Sequence, residues 1–397
     1  MLNTIAVMNT KGGVGKSTIV LALAETLSAD HGKNVLVIDS DAQASVSSML
    51  MTVTNLYTLQ HEGRTIVDYL VASVLQGNTL DWSSFIVPKV SDVDDARSVY
   101  LLPSDMQLTL FEREVSKESR HTALRSTIGR LLAEVSNVFD VVLIDCPPGL
   151  SVLTESWLRE ADFHLSPTKA DYVSICGLEV FRRFKALNPE MGFAHNLGVL
   201  VNLKDSTSET DVEYHKWLIE SADNRCFEPA IPRMGALQDA ARYRTLDRSY
   251  AAKYPGAAGQ SIRAVASELL RRLDTAKAAA TGAAPPPVVQ SAPAAKPAVS
   301  SAGAAPAQPT AAQTTATAAA ARPATTAAPA APAASTAPNS PATATAKLAS
   351  TPPAPPPPAA SLAAAVAAVS ASAPAKPATS PDKSELGAPS THTPLRA

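Results

Sequence analysis

Residues 10–18, TKGGVGKST, stand between the apolar run IAVM at residues 5–8 and a second apolar stretch that begins at Ile19. An apolar run, a glycine-rich turn and a helix-compatible stretch in this order are typical of a strand, a phosphate-binding loop and a helix start. The glycines let backbone N–H groups point at phosphate oxygens without a Cβ in the way, and the helix adds the positive end of its dipole. The stretch therefore predicts a phosphate-binding loop.

Two lysines and a serine give this loop its predicted chemistry. Lys16 is placed to reach the β- and γ-phosphates of a nucleotide, and the hydroxyl of Ser17 to hold Mg²⁺. The loop departs from the usual pattern at Thr10, where glycine is expected, and it carries a second lysine, Lys11, at its head. A glycine turn without any ligand is the alternative interpretation, but two lysines among three glycines argue against it.

The chain up to about residue 275 alternates apolar runs with segments of helical periodicity. Besides residues 5–8, the runs predicted as strands are VLVI at residues 35–38, VYLL at 99–102, VVLID at 141–145, FHLSP at 163–167 and LGVLVN at 197–202. Helices are predicted at residues 17–29, 65–70, 108–135 and 261–277. Continuous apolar strands separated by helices indicate an α/β fold with a doubly wound, mostly parallel sheet flanked by helices.

Acidic residues follow two of these strands, at the edge where ligands of open α/β sheets bind. Asp145 ends its strand and precedes CPPG, which is a Walker B arrangement in which the carboxylate orders Mg²⁺. Asp39 and Asp41 follow the strand at residues 35–38. The predicted metal site comprises Ser17 and Asp145, with Asp39 close to the ion but not bound to it directly.

The form KGGVGKST resembles the deviant Walker A box of the ParA/MinD family of P-loop ATPases, and the chain is similar to its ParA (Soj-like) branch. DSDAQ at residues 39–43 resembles the family's switch I, with Ala42 in place of the usual proline, and DCPPG at 145–149 resembles its switch II. The resemblance implies a Mg²⁺-dependent ATPase that is a homodimer when ATP is bound. It also implies that Lys11 reaches the phosphates of the partner subunit, that Asp41 serves hydrolysis, and that hydrolysis releases the dimer.

The resemblance further implies which residues contact ATP. In the loop they are Lys11, Gly12, Gly13, Val14, Gly15, Lys16, Ser17 and Thr18, and the catalytic residues are Lys11, Lys16 and Asp41. Asn202 stands where the family places a residue that hydrogen-bonds the adenine edge, and Pro232 and Arg233 belong to a segment whose backbone lies beside the base. Asn202 as a turn residue at the end of a strand is the alternative, and the two interpretations do not exclude each other.

The composition of the chain changes near residue 277. From there to residue 397 it is mostly Ala, Pro, Ser and Thr, has no Phe, Trp or Tyr, and holds most of the 32 prolines. Such a segment cannot bury enough apolar surface to offset its conformational entropy. We therefore expect an ATPase domain at residues 1–276 and a disordered tail at 277–397.

Cysteine usage and hydropathy favour a cytoplasmic protein. Cys146, Cys176 and Cys226 are widely spaced and odd in number, as expected of reduced thiols. We expect no targeting segment and no membrane insertion, because no run in the folded part approaches the roughly 20 apolar residues needed to span a bilayer. A MinD-type protein ends in a short amphipathic helix that lies on the membrane, whereas this chain ends in a Pro/Ala-rich segment.

The formal net charge is -2, so any contact with nucleic acid has to come from a local patch. A basic cluster near the end of the ATPase domain comprises Arg233, Arg242, Arg244, Arg248, Lys253, Arg263, Arg271 and Arg272. In the ParA branch such residues, joined across the dimer, bind DNA without sequence preference.

These observations predict a nucleoid-associated ATPase that partitions plasmid or chromosomal DNA, or positions a large cargo on the nucleoid. A ParB-like protein or a cargo adaptor would stimulate its hydrolysis. The alternative is a nucleotide-gated scaffold whose tail recruits a polar or envelope complex without DNA binding.

Overall fold

Seven strands form a single sheet in the computed structural model, which describes residues 2–282. They are β1 (Thr4–Val7), β2 (Val35–Asp39), β3 (Val87–Pro88), β4 (Val99–Leu102), β5 (Val141–Asp145), β6 (Phe163–Thr168) and β7 (His195–Val201). Their order across the sheet is β3-β4-β2-β5-β1-β6-β7, and all neighbours are parallel except β3 and β4. The predicted strands and fold class are confirmed.

The central strands are buried on both faces, and their side chains alternate between two cores. At β1, Ile5 and Val7 join one core, whereas Ala6 and Met8 join the other. Strands β2 and β5 alternate in the same way. A parallel sheet that is covered by helices on both faces requires continuous apolar strands. This requirement explains why the sequence shows apolar runs instead of an apolar/polar alternation.

Helices cover both faces of this sheet. They are α1 (Lys16–His31), α2 (Ser45–Leu50), α3 (Val53–His61), α4 (Ile66–Leu70), α5 (Leu108–Val115), α6 (Glu118–Val135), α7 (Val152–Glu160), α8 (Tyr172–Leu187), α9 (Glu209–Glu220), α10 (Gly235–Ala240), α11 (Tyr250–Lys253) and α12 (Ala257–Thr281). The core that contains Ile5 packs against α1 and α12, and the core that contains Ala6 packs against α6 and α7.

Local sequence signals set several helix ends. Helix α1 ends at Gly32, whose φ of 59° lies in the left-handed region that glycine adopts easily. Thr65 and Asp68 form a capping box at the start of α4, as the short helix predicted there requires. The helix predicted at residues 108–135 is instead two helices, because the chain turns at Lys117, whose ψ is 126°.

The last helix, α12, is longer at both ends than predicted and stops before Gly282, whose φ is 68°. Of the predicted disordered tail, residues 283–397 lie outside the described residues. The division into an ATPase domain at 1–276 and a tail at 277–397 stays a prediction. Among residues 2–282, the structure contains no helix with the combined length and apolarity that a bilayer crossing demands.

A buried ionic network links helix α1 to Asp92 and to helix α11. The ammonium of Lys253 lies 2.7 Å from a carboxylate oxygen of Glu25 and 2.6 Å from one of Asp92, and all three side chains are fully buried. The hydroxyl of Tyr254 donates to Glu25 at 2.6 Å, and the guanidinium of Arg248 lies 3.0 Å from Asp92. Each buried charge therefore has an oppositely charged partner, as burial of charge requires.

Candidate functional site

The phosphate loop between β1 and α1 has a backbone that suits glycine. Gly13 and Gly15 have φ angles of 72° and 87°, in the left-handed region. A Cβ at Gly12 or Gly13 would meet no atom within 4 Å, so the loop opens into space, whereas a Cβ at Gly15 would collide with the amide of Asn202. An open cradle of backbone N–H groups at a helix start is a site for an anion.

Asp39 and Asp145 lie side by side at the carboxyl edge of the sheet, because β2 and β5 are parallel neighbours that pair these residues in register. Asp145 is 1% exposed, and neither of its carboxylate oxygens has a hydrogen-bond partner within the described residues. Burial and the charge of Asp39 raise the pKa of Asp145 well above its usual value, although the Ser17 hydroxyl and the Lys16 charge oppose this increase. A buried carboxylate without donors is destabilising by itself.

The residues around Asp145 fit a magnesium ion beside a nucleotide phosphate. Helix α1 begins at Lys16, so its first turn brings Ser17 close enough to Asp145 to influence that carboxyl's pKa. A hydroxyl and a carboxylate are the hard oxygen donors that Mg²⁺ prefers. The unpartnered oxygens of Asp145 are therefore suited to a cation and its bound waters.

Asp39, which was also predicted to act at the metal, has its oxygens engaged by the protein. Its carboxylate accepts the Ser47 hydroxyl at 2.6 Å, the Ser47 N–H at 2.9 Å and the Asp41 N–H at 3.1 Å. The side chain is fully buried, and burial raises the pKa of Asp39 to about 6. These contacts fold the segment at residues 40–47 back onto the end of β2.

Asp41 lies partly buried in that segment, and its Oδ1 accepts the N–H of Gln43 at 2.9 Å. Ala44 has a φ of 49°, and its N–H donates to the carbonyl of Asp41 at 2.9 Å. A non-glycine residue in the left-handed region costs about 1–3 kcal/mol, and such strain is concentrated at functional segments. The segment is thus tightly folded even though Ala42 replaces the proline expected there.

Lys11 lies at the rim of the loop. Its ammonium is 3.9 Å from the carboxylate of Asp171, and the two side chains are 40% and 42% exposed. Asp171 also caps α8, because its carboxylate accepts the N–H of Ser174 at 2.7 Å. An exposed ion pair of this length contributes little free energy. The contact therefore leaves Lys11 able to exchange Asp171 for another anion.

An apolar cavity of about 190 Å³ adjoins the phosphate loop. Its lining includes Gly15, Thr18, Ile19, Ala22, Asn202, Ile231, Met234, Leu237 and Ile262. Apolar walls with a few polar groups suit the base and sugar of a nucleotide. Asn202 is buried and its Nδ2 donates to the carbonyl of Val14 at 2.8 Å, so this side chain also holds the loop. The predicted contact of Asn202 with adenine stays a prediction.

Pro232 and Arg233 lie next to this cavity but are not among the described residues that line it. The carbonyl of Lys204 accepts the N–H of Arg233 at 2.9 Å, and the N–H of Lys204 donates to Ile231 at 3.0 Å. This pairing brings their segment to the end of β7, while the Arg233 side chain is exposed. A contact between this segment and the base also stays a prediction.

Sequence reasoning missed four residues that shape the site: Asn9, Ser47, Asp171 and Met234. Asn9 bridges the loop to β6, because its Nδ2 donates to the carbonyl of Pro167 at 2.7 Å and its Oδ1 accepts the N–H of Lys11 at 2.9 Å. Asp171 comes shortly after β6, at the same sheet edge as Asp145, and this position was a usable signal. Ser47 and Met234 have no such signal in the sequence, because only the folding of their loops places them next to the site.

Comparisons with known proteins agree with this geometry. The family model described as an AAA domain matches residues 2–191. The chromosome-partitioning ATPase Soj of Treponema pallidum is 27% identical over 275 residues, which cover 68% of this chain and 98% of Soj.

Two solved structures share the fold. Cobyrinic acid a,c-diamide synthase from Mycobacterium smegmatis, with bound ADP and magnesium, has a TM-score of 0.53 and 24% identity, and the match covers 73% of this chain and 100% of that chain. A plasmid partition protein from Borrelia burgdorferi has a TM-score of 0.50 and 20% identity, and the match covers 68% of this chain and 100% of that chain. In its paired-lysine loop and along nearly all of Soj, the chain is similar to the ParA/MinD family of P-loop ATPases.

Proposed function

We propose that this protein is a partition ATPase of the ParA branch whose ATP-bound form is a homodimer on the nucleoid. The observation that carries the proposal is the position of Lys11, which lies half-exposed at the mouth of the phosphate loop with only a weak contact to Asp171. Similarity to nearly the whole length of a chromosome-partitioning ATPase supports the biological role. The cargo is plasmid or chromosomal DNA, or a large assembly carried on the nucleoid.

Each predicted site residue has a distinct task in this proposal. The loop N–H groups of residues 12–18 and Lys16 neutralise the triphosphate, and Asp41 orients the attacking water. Asp39 acts indirectly, because it holds the segment that carries Asp41 through Ser47. Lys11 neutralises charge on the triphosphate bound by the partner subunit, so neither subunit has a complete site alone.

Ser17 and Asp145 hold Mg²⁺ in this proposal, and the metal supplies charge neutralisation at the β- and γ-phosphates. The unpaired oxygens of Asp145 support the assignment. Asn202 and the backbone at Pro232 and Arg233 lie beside the cavity proposed for adenine, and Met234 adds an apolar wall. The cavity adjoins Gly15, so base and phosphates lie on one continuous surface.

Ion pairs within the protein engage most of the basic residues that were predicted to bind DNA. Five of its eight members are engaged: Lys253 and Arg248 in the ionic network, Arg263 with Asp30, and Arg271 and Arg272 with Glu268. Arg233, Arg242 and Arg244 are exposed, and none of them forms an ion pair with another residue in the range 2–282. We assign the nonspecific DNA contact to these three arginines, joined across the dimer.

A ParB-like protein or a cargo adaptor stimulates hydrolysis and so releases the dimer from DNA in this proposal. The nucleotide then acts as a switch, because ATP joins the two subunits and its loss separates them. The tail that follows helix α12 serves mainly as a spacer between the ATPase and its surroundings.

Retention on nonspecific DNA tests the proposal. We expect retention with ATP and Mg²⁺ but not with ADP, and a steep loss of retention as salt is raised. An Arg242→Ala/Arg244→Ala variant should reduce the salt slope by about 0.9 for each phosphate contact removed. Arg271→Ala is the matched control, because Arg271 is exposed but already paired with Glu268. Retention that is independent of nucleotide would overturn the proposal.

Truncation after Gly282 separates the proposal from the scaffold alternative. This end point keeps helix α12 and the glycine that terminates it. A truncated protein that still binds DNA and still localises supports the spacer role of the tail. Lost localisation with intact DNA binding supports the scaffold.

A further inference from the structure

Helix α8 has an apolar face that nothing in residues 2–282 covers. Its exposed large apolar side chains outnumber those of any other helix in this range, and they are between 58% and 69% exposed: Tyr172, Val173, Val180 and Leu187. The opposite face of the helix packs inward through Ser174 and Phe181. An exposed apolar face of this kind is typical of an interaction surface.

The outward side chains of α8 follow the spacing of a coiled-coil stripe. They are spaced alternately three and four residues apart, which keeps them on one line along the helix: Val173, Cys176, Val180, Arg183 and Leu187. Cys176 is half-buried and the other four are exposed. The methylene groups of an arginine can lie along an apolar surface while its guanidinium stays in water, so Arg183 does not interrupt the stripe. These five residues, which we call the α8 seam, fit a second helix.

A segment outside the described residues has the complementary pattern. Residues 361–373 read SLAAAVAAVSASA. Apolar side chains are spaced four, three and four residues apart in this segment, at Leu362, Val366, Val369 and Ala373. Alanine is the best helix former, Ser361 is a good N-cap residue, and no proline occurs between Pro358 and Pro374. The sequence therefore predicts a helix with one apolar face, which needs a supporting surface because so short a helix is marginal by itself.

No other part of residues 283–397 has this pattern. Aliphatic side chains larger than alanine occur there only at residues 288, 289, 299, 348, 386 and 395, and none of these are three or four residues apart. Residues 283–360 connect the segment to the end of α12. A flexible linker of roughly 80 residues has a root-mean-square span of about 50 Å, whereas a domain of about 280 residues has a radius of gyration of about 19 Å. The linker is therefore long enough for the segment to reach α8.

We propose that residues 361–373 dock as a helix on the α8 seam of the same molecule. The apolar stripe of the segment packs against Val173, Cys176, Val180 and Leu187, and the guanidinium of Arg183 stays in solvent. The contact is small, but the linker makes it intramolecular. An effective concentration in the millimolar range populates a docked state whose intrinsic affinity is only millimolar. Residues 283–360 then keep the role of a spacer.

The reactivity of the Cys176 thiol with iodoacetamide, measured by peptide mass spectrometry in nucleotide-free full-length protein, tests the docking. The comparison is a Leu362→Ser/Val366→Ser/Val369→Ser variant, which removes the apolar stripe of the segment and keeps the length of the chain. We expect Cys176 to react at least about threefold faster in this variant, the ratio for a segment that is docked about two-thirds of the time. Cys226, which is half-buried and outside the seam, should react equally fast in both proteins.

Substitutions on the surface locate the contact. In a Val180→Gln background, the triple-serine change in the tail should leave the Cys176 rate unchanged, because the seam has lost its central apolar side chain. Val180 is 63% exposed, so this substitution does not disturb the core. Val212→Gln on α9 is the matched control, because Val212 is also exposed and apolar but lies outside the seam. This background should retain the difference between the two tails.

Three results would overturn the proposal. The first is an equal Cys176 rate in the parent and the triple-serine variant. The second is a rate difference that persists in the Val180→Gln background, because the segment would then dock elsewhere. The third is protection of Cys176 that increases with protein concentration, which would show that a second copy of the chain occupies the seam.

Discussion

Helix α1 carries buried charge in two places, and the two are organised in opposite ways. At its first turn it faces Asp145, whose carboxylate is buried without a hydrogen-bond partner in the described part of the chain. Nine residues after Lys16, the same helix carries Glu25. The Glu25 carboxylate accepts hydrogen bonds from the ammonium of Lys253 and from the hydroxyls of Tyr254 and Ser91. Paired buried charge holds the architecture together, whereas unpaired buried charge marks a place that a ligand completes.

Removing the cation from the buried ionic network should reduce stability more than any other change considered. We expect Lys253→Met to lower the free energy of unfolding by about 3–5 kcal/mol, because it leaves two buried carboxylates without their shared cation. Urea unfolding measures this loss. Arg271→Met, which breaks an exposed pair on α12, is the control and should cost at most about 1 kcal/mol. Similar losses in the two variants would contradict the paired-charge interpretation of the ionic network.

Neutralising the unpaired carboxylate of Asp145 should increase the stability of the nucleotide-free protein. We expect Asp145→Asn to raise the free energy of unfolding of the nucleotide-free protein at pH 7 by at least about 1 kcal/mol, because a neutral amide is less costly to bury than a carboxylate. The same variant should lose the extra stability that ATP with Mg²⁺ gives the parent. Urea unfolding with and without ligand measures both effects. A destabilised Asp145→Asn protein would show that Asp145 has a structural partner after all.

The pH dependence of stability sharpens the contrast at Asp39. Its pKa is raised to about 6 by burial, so the native state favours the protonated carboxyl. The stability that this preference provides is full below about pH 4 and is lost as the pH rises through about 6. We expect the unfolding free energy of the parent, relative to Asp39→Asn, to fall by about 3 kcal/mol across that window. Parallel pH profiles for the two proteins would be the contrary result.

Substitutions in the exposed Lys11–Asp171 ion pair should have the smallest effect on stability. We expect Asp171→Asn to change the free energy of unfolding by no more than about 0.5 kcal/mol, because Asn still caps α8 and the ion pair it removes is solvated. Lys11→Ala should be equally mild for stability but should abolish ATP-dependent dimerisation, as sedimentation or light scattering would show. A Lys11→Ala protein that still dimerises with ATP would exclude the shared site.

Local rules made much of the fold predictable. The apolar runs, the glycines of the loop and the capping box at Thr65 act over a few residues, so they can be recognised without the folded protein. The break at Lys117 was not predicted, because helical periodicity continues through residues 108–135, on both sides of the turn between α5 and α6. The position of Asp171 shortly after β6 could have been recognised, but its contact with Lys11 could not, because the two residues lie far apart along the chain and meet only in the fold.

By itself, the sequence determined the phosphate loop, the six strands that its apolar runs predict, and the identity of Lys16, Asp39 and Asp145 as candidate site residues, because these follow from residue type and spacing. Only the tertiary structure decided which charges have partners. It paired Lys253 and Arg248 within the ionic network and left Asp145 without donors. The physical reason is that desolvation and ion pairing depend on distances between residues far apart in the chain, and those distances exist only once the sheet and its helices have packed.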